Sequence, residues 1–215
     1  MTQKSIKTLR GKYTFEPIKL SRGQGAMNMA QCKENLFVLA DILDAQSIRY
    51  GIIYGTLLGA IRDNGFIPWD EDVDLFVLDE DRQLFLSLLF EMRQEDLEVV
   101  RYTGDLLSLM RGSDYIDIYF MRRKLFGDRV CGADRLRARF FETRETIQFL
   151  GRSFPTVAEP EAFLDYAYGK DWKTPIKHKH AEVVPVYNRC KSLIRVAQIK
   201  ATERLKNVAK TFIGR

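Results

Sequence analysis

Residues 54–75 read Tyr54-Gly-Thr-Leu-Leu-Gly-Ala-Ile-Arg-Asp-Asn-Gly-Phe-Ile-Pro-Trp-Asp-Glu-Asp-Val-Asp-Leu75 and hold most of the chain's chemical information. They join a small-residue turn at Gly55-Thr56 to an acidic cluster, which is followed directly by the apolar run Leu75–Leu78. The acidic cluster consists of Asp70, Glu71, Asp72 and Asp74. Because residues two apart in a strand point to the same face, Asp72 and Asp74 are predicted to lie side by side.

Two carboxylates held this close repel each other unless a cation lies between them. A divalent ion such as Mg²⁺ or Mn²⁺ is the simplest partner, since Mg²⁺ typically takes one or two carboxylates together with substrate phosphates. A solvated acidic loop is the alternative. It is disfavoured because the pair begins an apolar strand and follows Pro68-Trp69. The pattern therefore favours a metal site.

A third carboxylate lies in the apolar run Tyr115-Ile-Asp-Ile-Tyr-Phe120. Asp117 is flanked there by two isoleucines, so it is either an outward-facing residue of a half-buried strand or part of the same site. Together with Asp72 and Asp74 it favours the site. The predicted catalytic and metal residues are Asp72, Asp74 and Asp117, with Asp70 as a further ligand or a support for the ligands.

The order Gly55-Thr56, Asp72-Val-Asp74, Ile116-Asp117-Ile118 resembles the nucleotidyltransferase superfamily. Residues 54–62 and 65–74 resemble more closely the LicD family, which includes bacterial phosphocholine transferases and fukutin-type phosphoribitol transferases. A downstream match, Tyr168-Gly-Lys-Asp-Trp172 with Pro175, resembles the family's Tyr-Gly-x-x-Trp-x-x-Pro segment. The resemblance covers about residues 28–177, and it departs from many members at Glu71, where they have Asp.

The resemblance implies an α/β (α+β) fold with a nucleotidyltransferase-like mixed sheet flanked by helices. It also implies an enzyme that moves a choline-, ribitol- or glycerol-phosphate group from a CDP-linked donor to a hydroxyl of a cell-surface glycan precursor, releasing CMP. By analogy, Asp117 would complete the metal site and help to deprotonate the acceptor hydroxyl. Nucleotidyl transfer with pyrophosphate release, and a non-catalytic membrane-associated module of polysaccharide assembly, stay open as alternatives.

Three further residues are predicted to bind the donor's phosphates. Gly55 lets the backbone approach a phosphate, Thr56 can donate a hydrogen bond to it, and the planar fork of Arg62 matches phosphate oxygens. Arg62 could equally be a surface arginine on a short helix. Trp69 is better explained as a core residue than as a stacking platform, and no role is assigned to Lys170 or Trp172.

The periodicity of apolar residues predicts the elements around these motifs. Helices are expected over 27–46, 56–62, 81–93 and 161–168, the last ended by Gly169. Strands are expected over 48–54, 75–78, 97–102, 106–111 and 115–121, with turns at Gly104-Asp105 and Gly112-Ser113.

Composition is that of a compact enzyme. A chain of 215 residues with 46% hydrophobic residues can bury a sizeable core. No apolar run approaches the roughly 20 residues needed to span a bilayer, and the basic N-terminal residues lack the apolar segment of a secretory signal. The three cysteines are odd in number and far apart, which indicates neither a disulfide framework nor a zinc site. A cytoplasmic location is therefore expected.

Composition and charge divide the chain into three parts: a basic N-terminal arm over 1–24 that is either mobile or a loose cover, a catalytic domain over 25–186 and a basic amphipathic helix over 187–215. The last part carries eight basic residues and one acid, whereas the whole chain has a net charge of +5. Its apolar residues form one narrow stripe: Ile194, Ala197, Ala201, Leu205, Val208 and Phe212.

Such a helix can lie in an anionic membrane surface, here the inner face of a bacterial membrane. Packing on its own domain or on a partner subunit is the alternative. Nucleic-acid binding is not expected, since Phe212 is the one aromatic residue interleaved with the basic run after Tyr187. His178 and His180 lack a nearby third ligand, so a metal site there is disfavoured.

Overall fold

A computed structural model describes residues 3–20, 25–124, 127–132 and 134–175 of the chain. The described part forms a mixed sheet with helices packed on it, so the predicted α/β class is confirmed. The predicted helix over 187–215 and the pair His178 and His180 lie outside the described residues. Within those ranges, no helix combines the length and the apolar character needed to cross a membrane.

The elements follow one another in an irregular alternation of strands and helices. The strands are β1 (Lys4–Thr8), β2 (Gly11–Phe15), β3 (Tyr50–Ile52), β4 (Val73–Leu78), β5 (Glu98–Tyr102), β6 (Leu106–Arg111), β7 (Asp114–Arg123), β8 (Arg129–Cys131), β9 (Asp134–Leu136), β10 (Arg144–Phe149) and β11 (Arg152–Val157). The helices are α1 (Met29–Ala45), α2 (Tyr54–Arg62), α3 (Arg82–Ser87), α4 (Leu89–Gln94), α5 (Arg139–Glu142) and α6 (Pro160–Tyr168).

The main sheet has the strand order β10-β11-β3-β4-β7-β6-β5. Its two central strands, β4 and β7, are parallel and pair in register from Val73–Ile116 to Leu78–Met121. β4 is buried along its whole length. A strand that is buried on both faces requires the continuous apolar run that the sequence shows after Asp74. This pairing brings the two acidic sequence motifs to neighbouring positions.

Helix α1 shows how local sequence fixes an element. The Asn28 side chain accepts hydrogen bonds from the amides of Ala30 and Gln31, which are donors that the first helical turn leaves unsatisfied. The helix then buries one stripe of side chains: Cys32, Asn35, Leu36, Leu39, Ala40 and Leu43. The predicted helix over 27–46 is confirmed with ends trimmed by one or two residues.

The predicted helix over 81–93 is wrong in its continuity. The chain forms a 3₁₀ turn at Asp79–Asp81 and then two short helices, α3 and α4, which are separated at Leu88. Phe85, Leu86 and Leu89 are all buried, so the apolar side chains face the core on both sides of the break. The break changes the direction of the chain without exposing them.

The prediction of a mobile arm at the N-terminus is also wrong for the residues that are described. β1 and β2 pair as an antiparallel hairpin that buries Ile6, Tyr13 and Phe15. The Tyr13 hydroxyl donates to Glu98 at 3.0 Å, and its ring meets Phe90 edge-on at 5.4 Å between centroids. The alternating apolar residues of this hairpin therefore complete the core next to β5.

Candidate active site

The site begins where β3 turns into α2, beside the start of β4. The Gly55 amide, in the first turn of α2, donates to Oδ2 of Asp74 at 2.9 Å. The Asp74 amide in turn donates to the Thr56 hydroxyl at 2.8 Å. These two bonds lock the first turn of the helix to the carboxylate, which lies at the positive end of the helix dipole.

Glycine is required at position 55 because two carboxylates approach it closely. A Cβ built on Gly55 would lie 2.5 Å from Oδ2 of Asp70 and 3.1 Å from Oδ2 of Asp74. A real side chain would therefore displace at least one of them. The predicted Gly-Thr turn and the predicted acidic cluster thus form one site.

Electrostatics confirm that the carboxylates crowd one another. Burial, followed by the charges of Asp74 and Asp117, raises the pKa of Asp72 well above its usual range. Burial, followed by Asp70 and Asp117, does the same to the pKa of Asp74. Burial raises the pKa of Asp70 to about 6, although a hydrogen bond from the Glu71 amide opposes the shift. A cation among these groups would relieve the repulsion.

Asp117 has a different environment from the other carboxylates. It pairs with Asp74 across β4 and β7, and it is 4% exposed. Both of its oxygens accept from the Arg101 guanidinium, at 2.8 and 2.6 Å, and Oδ1 also accepts from the Ser108 hydroxyl at 2.6 Å. The charge of Asp117 is therefore already balanced within the protein.

These contacts form a polar row across four neighbouring strands. Asp74 on β4 lies opposite Asp117 on β7, Asp117 lies opposite Ser108 on β6, and Ser108 lies opposite Arg101 on β5. Side chains at paired positions share one face of a sheet. The register of the strands alone thus brings an acid, a second acid, a hydroxyl and a guanidinium together.

Tyr119 closes the site on the β7 side. It lies two residues beyond Asp117, on the same face, and its hydroxyl donates to Oδ1 of Asp74 at 3.0 Å. Its ring meets that of Tyr54 edge-on at 5.1 Å between centroids. With Gly55 on one oxygen and Tyr119 on the other, the Asp74 carboxylate is held in a fixed orientation.

Two predicted phosphate-binding residues lie away from this opening. Thr56 is 2% exposed, and its hydroxyl supports the backbone of β4. Arg62 lies at the far end of α2, about 10 Å along the helix axis from Gly55. Its guanidinium donates to Asp63 at 2.9 and 2.8 Å and to the Trp172 carbonyl at 3.4 Å. Their predicted phosphate contacts stay predictions.

The downstream motif is packed into the core. Trp172 is 5% exposed and donates through its indole nitrogen to Asp165 at 2.7 Å. Tyr168 lies in the field of the carboxylates, because burial, followed by Asp74, Asp70 and Asp72, raises its pKa well above the usual range. Trp69 packs against the core, as predicted, and Lys170 is exposed.

The donor set fits a divalent cation that shares its coordination with substrate. Among the residues described, no group of three His, Cys, Asp or Glu side chains is arranged to hold a metal ion. Asp72 and Asp74 supply two oxygen donors with raised pKa values, and the space against Gly55 keeps Asp70 close to them. Two carboxylates completed by phosphate oxygens and water are an ordinary arrangement for Mg²⁺. Asp117, which Arg101 and Ser108 already engage, is not needed for it.

Sequence reasoning missed Arg101, Ser108 and Tyr119. Tyr119 carried a signal, since it follows Asp117 by two residues in the same strand. Arg101 and Ser108 carried none, because their proximity to Asp117 depends on the register of β5, β6 and β7. A single sequence does not fix that register.

Comparison with known proteins shows which protein family this chain matches. A family model described as LicD/FKTN/FKRP, nucleotidyltransferase domain, matches residues 47–155, about half of the chain. Lipopolysaccharide cholinephosphotransferase LicD of Haemophilus influenzae is 34% identical over 39% of this chain and 37% of its own length. Ribitol 5-phosphate transferase FKRP of Mus musculus is 43% identical over 23% of this chain and 10% of its own length. The matched segments thus span little more than a third of LicD and a tenth of FKRP.

Solved structures with a similar arrangement include two antibiotic-resistance proteins. The lincosamide antibiotic adenylyltransferase LnuA, solved with lincomycin, has a TM-score of 0.46 and 14% identity over 69% of this chain and 90% of its own. The antibiotic-resistance factor ANT(2'')-Ia has a TM-score of 0.48 and 18% identity over 85% of this chain and 96% of its own.

Proposed function

Because this chain belongs to the LicD family, we propose that it is a metal-dependent phosphotransferase. It would move a phosphorylated small alcohol from a CDP-linked donor to a hydroxyl of a glycan precursor, with CMP as the leaving group. The observation that carries the proposal is the cluster of carboxylates at the first turn of α2. Asp70 and Asp74 lie against Gly55, and Asp72 is close enough to Asp74 for that charge to raise its pKa. The activities for which the relatives are named, cholinephosphotransferase and ribitol 5-phosphate transferase, support this class of transferred group.

Mg²⁺ or Mn²⁺, held by Asp72 and Asp74 with Asp70 alongside, would neutralise the charge of the donor's phosphates. The protein's own contribution is mainly position and charge, since phosphoryl transfer requires little covalent chemistry from the enzyme. The first turn of α2 presents backbone amides and the positive end of a helix dipole to a bound phosphate. The missing side chain at Gly55 leaves room for the Asp70 and Asp74 carboxylates beside this turn.

Asp117 is suited to receive the proton of the acceptor hydroxyl. A carboxylate has about four acceptor positions, and Arg101 and Ser108 occupy three of those on Asp117. One position therefore remains on Oδ2. Arg101 and Ser108 fix the orientation of the group, and Tyr119 does the same for its neighbour Asp74. We propose Asp117 as the general base and Arg101, Ser108 and Tyr119 as positioning residues.

The first test is CMP release from CDP-choline, CDP-ribitol and CDP-glycerol in the presence of Mg²⁺, with and without candidate glycan acceptors. Asp72→Asn is the matched control, because it keeps the size of the side chain and removes one charge. CMP from one donor, lost in the variant, would establish the transferase class and name the group. Failure with every donor would overturn it.

Two other functions give different results in the same assay. A true nucleotidyltransferase would release pyrophosphate from a nucleoside triphosphate, and the fold of the matched family allows this. A non-catalytic module of polysaccharide assembly would release neither product. Its biological activity would survive Asp72→Asn.

The location of the protein is a separate proposal that rests on residues 187–215. We propose that this basic segment holds the enzyme at the inner face of the membrane, close to a lipid-linked acceptor. Sedimentation of the full chain with anionic vesicles tests this. Reversing two charges with Lys200→Glu and Arg204→Glu should release the protein from the vesicles, and unchanged binding would contradict the proposal.

A further inference from the structure

A second concave site lies at the opposite end of the central strands from the carboxylates. It is a cavity of about 590 Å³ beyond the last residues of β4 and β7, bordered by β8, α5 and the start of β10. Leu78, the last residue of β4, lies in its lining. Leu78 is four residues beyond Asp74, which corresponds to about 13 Å along the strand. Four of its lining residues are arginines: Arg49, Arg123, Arg129 and Arg144.

Two of these arginines are held in place by acids outside the lining. Arg49 donates to both oxygens of Asp81, at 2.8 and 2.7 Å. Arg129 donates to both oxygens of Glu80, at 2.7 and 2.8 Å, and to the Met121 carbonyl. Both acids lie on the 3₁₀ turn that follows β4. The turn therefore aligns two guanidinium groups along one wall.

The other two arginines have no such partner. Within the part of the chain that the structure describes, the side chains of Arg123 and Arg144 make no hydrogen bond and no ion pair, and both are exposed. The lining contains one acid, the exposed Glu142. Because Asp81 and Glu80 balance Arg49 and Arg129, the remaining charges of the lining are two guanidinium groups and one carboxylate, which leaves the cavity a net positive charge. Guanidinium is the side chain best matched to phosphate oxygens.

The floor of the cavity is apolar. Leu78 and Phe141 are 5% and 4% exposed, and Ala138 lies beside them in the lining. A volume of this size is typical of a site for a whole small molecule rather than for a single ion. The walls thus match an anionic group, and the floor matches a hydrocarbon or ring attached to it.

We propose that this cavity binds an organic phosphate through Arg123 and Arg144, with the apolar part of the ligand against Leu78 and Phe141. The site is separate from the transfer site, since the carboxylates lie at the beginning of β4 and β7 and the arginines lie at their ends. The proposal does not depend on the transferase function. The ligand's phosphate belongs either to a lipid headgroup or to a soluble metabolite, and the two sources share the chemistry that the cavity recognises.

The experiment is calorimetric titration of the full chain in EDTA, so that no metal binds at the carboxylates. The probes are inorganic pyrophosphate and a short-chain phosphatidic acid below its micelle concentration, with the corresponding phosphatidylcholine as a probe that has no net charge and no terminal phosphate group. The test variant combines Arg123→Gln and Arg144→Gln. The control combines Lys7→Gln and Lys12→Gln, which removes the same charge from the exposed face of the N-terminal hairpin.

We expect the arginine variant to bind phosphatidic acid at least about tenfold more weakly. The loss of one charge-assisted hydrogen bond alone lowers an affinity by about tenfold or more. The lysine variant should bind like the wild type, and both variants should keep the wild-type Tm. Tighter binding of phosphatidic acid than of pyrophosphate would assign the lipid source. The reverse order would assign a soluble phosphate.

Either order supports the proposal as long as the arginine variant loses binding. Equal losses in the arginine and lysine variants would show that binding follows overall charge, and would overturn it. Absence of binding by both anionic probes, or equal binding of phosphatidylcholine, would also overturn it.

Discussion

Single residues divide the acidic site into two electrostatic environments. Asp74 is buried and Asp72 is half-buried, and burial, followed by neighbouring charges, raises the pKa of each well above its usual range. Asp117, on the adjacent strand, is instead neutralised by Arg101 at 2.6 Å. Asp72 and Asp74 would therefore be stabilised by an added cation, whereas Asp117 already has a cationic partner in Arg101. The sequence predicts Asp117 as both a metal ligand and a base, and its pairing with Arg101 favours the role of base.

The first prediction concerns the repulsion at Asp72. In EDTA at neutral pH, Asp72→Asn should raise Tm, because the buried charge that it removes disfavours the folded state. An increase of 1 kcal/mol in the free energy of unfolding corresponds to about 2–4 °C for a chain of this size. The same variant should release no CMP. Thermal unfolding and the donor assay check the two halves of the prediction.

The difference in Tm between wild type and Asp72→Asn should depend on pH. A carboxyl whose pKa is raised on folding destabilises the folded state once the pH exceeds the unfolded pKa, about 4. Wild type and Asp72→Asn should therefore have the same Tm below about pH 4 and diverge above it. Addition of Mg²⁺ should stabilise the wild type and leave the variant nearly unchanged. A variant less stable than wild type at pH 7 would contradict the prediction.

The second prediction concerns Arg101. Arg101→Gln should lower the free energy of unfolding by about 1–3 kcal/mol, because it leaves the buried Asp117 carboxylate without its charged partner. It should also enlarge the increase in Tm that Mg²⁺ produces, since Asp117 becomes available to the ion. Thermal unfolding with and without Mg²⁺ measures both effects.

Arg101→Lys is the matched control, because it keeps the positive charge and loses the bidentate fork. It should lose less stability than Arg101→Gln and should respond to Mg²⁺ as the wild type does. If Arg101→Gln responds to Mg²⁺ no more strongly than Arg101→Lys, the guanidinium does not compete with the ion for Asp117.

Among the elements, the junction between α2 and β4 has the tightest geometry. An alanine inside a helix is normally about 1 kcal/mol more favourable than a glycine. At Gly55, however, the added Cβ would lie 2.5 Å from an oxygen of Asp70. Gly55→Ala should therefore displace the carboxylates and reduce CMP release by about 100-fold, the usual effect of a misplacement near 1 Å.

Gly65→Ala is the control for this third prediction. Position 65 follows the same helix, but the nearest atom to an added Cβ is the Asp63 carbonyl oxygen at 3.9 Å. CMP release should stay within about twofold of the wild type, since surface changes of this kind are usually within about 0.5 kcal/mol. Similar losses in both variants would show that the close approach at Gly55 is not what the reaction requires.

Which elements the sequence predicts depends on how local their signals are. The helix α1 and the strands β4, β6 and β7 follow from periodicity and flanking turns, and the Gly55 turn and the acidic cluster follow from short motifs. The region from β8 to β11 gave no such signal. β8 and β9 have three residues each, and β10 has three exposed residues at its start. These strands form because neighbouring strands are available to pair with them, and a single sequence does not show which strands will be neighbours.

The residues of the acidic site also differ in how far their positions could be predicted from the sequence. Asp72 and Asp74 could be placed together from sequence, since two residues apart in one strand is a local relation. The neutralisation of Asp117 could not, because it depends on pairing between β5, β6 and β7. The N-terminal hairpin was missed for a related reason. Its burial depends on Phe90 and Glu98, which are more than 70 residues away in the chain.

At the scale of the whole molecule, two groups of carboxylates respond to pH in opposite directions. Burial raises the pKa of Asp70 to about 6, so in the metal-free protein this residue destabilises the folded state at neutral pH, and the destabilisation is lost as the pH falls towards about 4. Asp105 behaves in the opposite way. A hydrogen bond from Arg122, supported by the Gly132 amide and Arg82, lowers its pKa to about 2. Its contribution is lost as the pH falls from about 4 to 2.

The fourth prediction follows from these two signs. In EDTA, the free energy of unfolding measured with urea should be greatest near about pH 4–5 and should decline on both sides. Asp105 should account for about 2–3 kcal/mol of the acid decline. Asp105→Asn should flatten the acid side alone, and Mg²⁺ should flatten the neutral side alone. A single maximum near pH 7 in EDTA would contradict this.

The arginine-lined cavity and the acidic site lie at the two ends of the same pair of parallel strands. The described residues therefore form a dipole along β4 and β7, with the carboxylates at its negative end. Near an anionic surface, a molecule with this charge distribution turns before it makes contact with the surface, because its charges act over about 8–10 Å at physiological ionic strength. It would arrive with the arginines inward and with Asp72 and Asp74 turned towards the solution, from which a soluble donor diffuses.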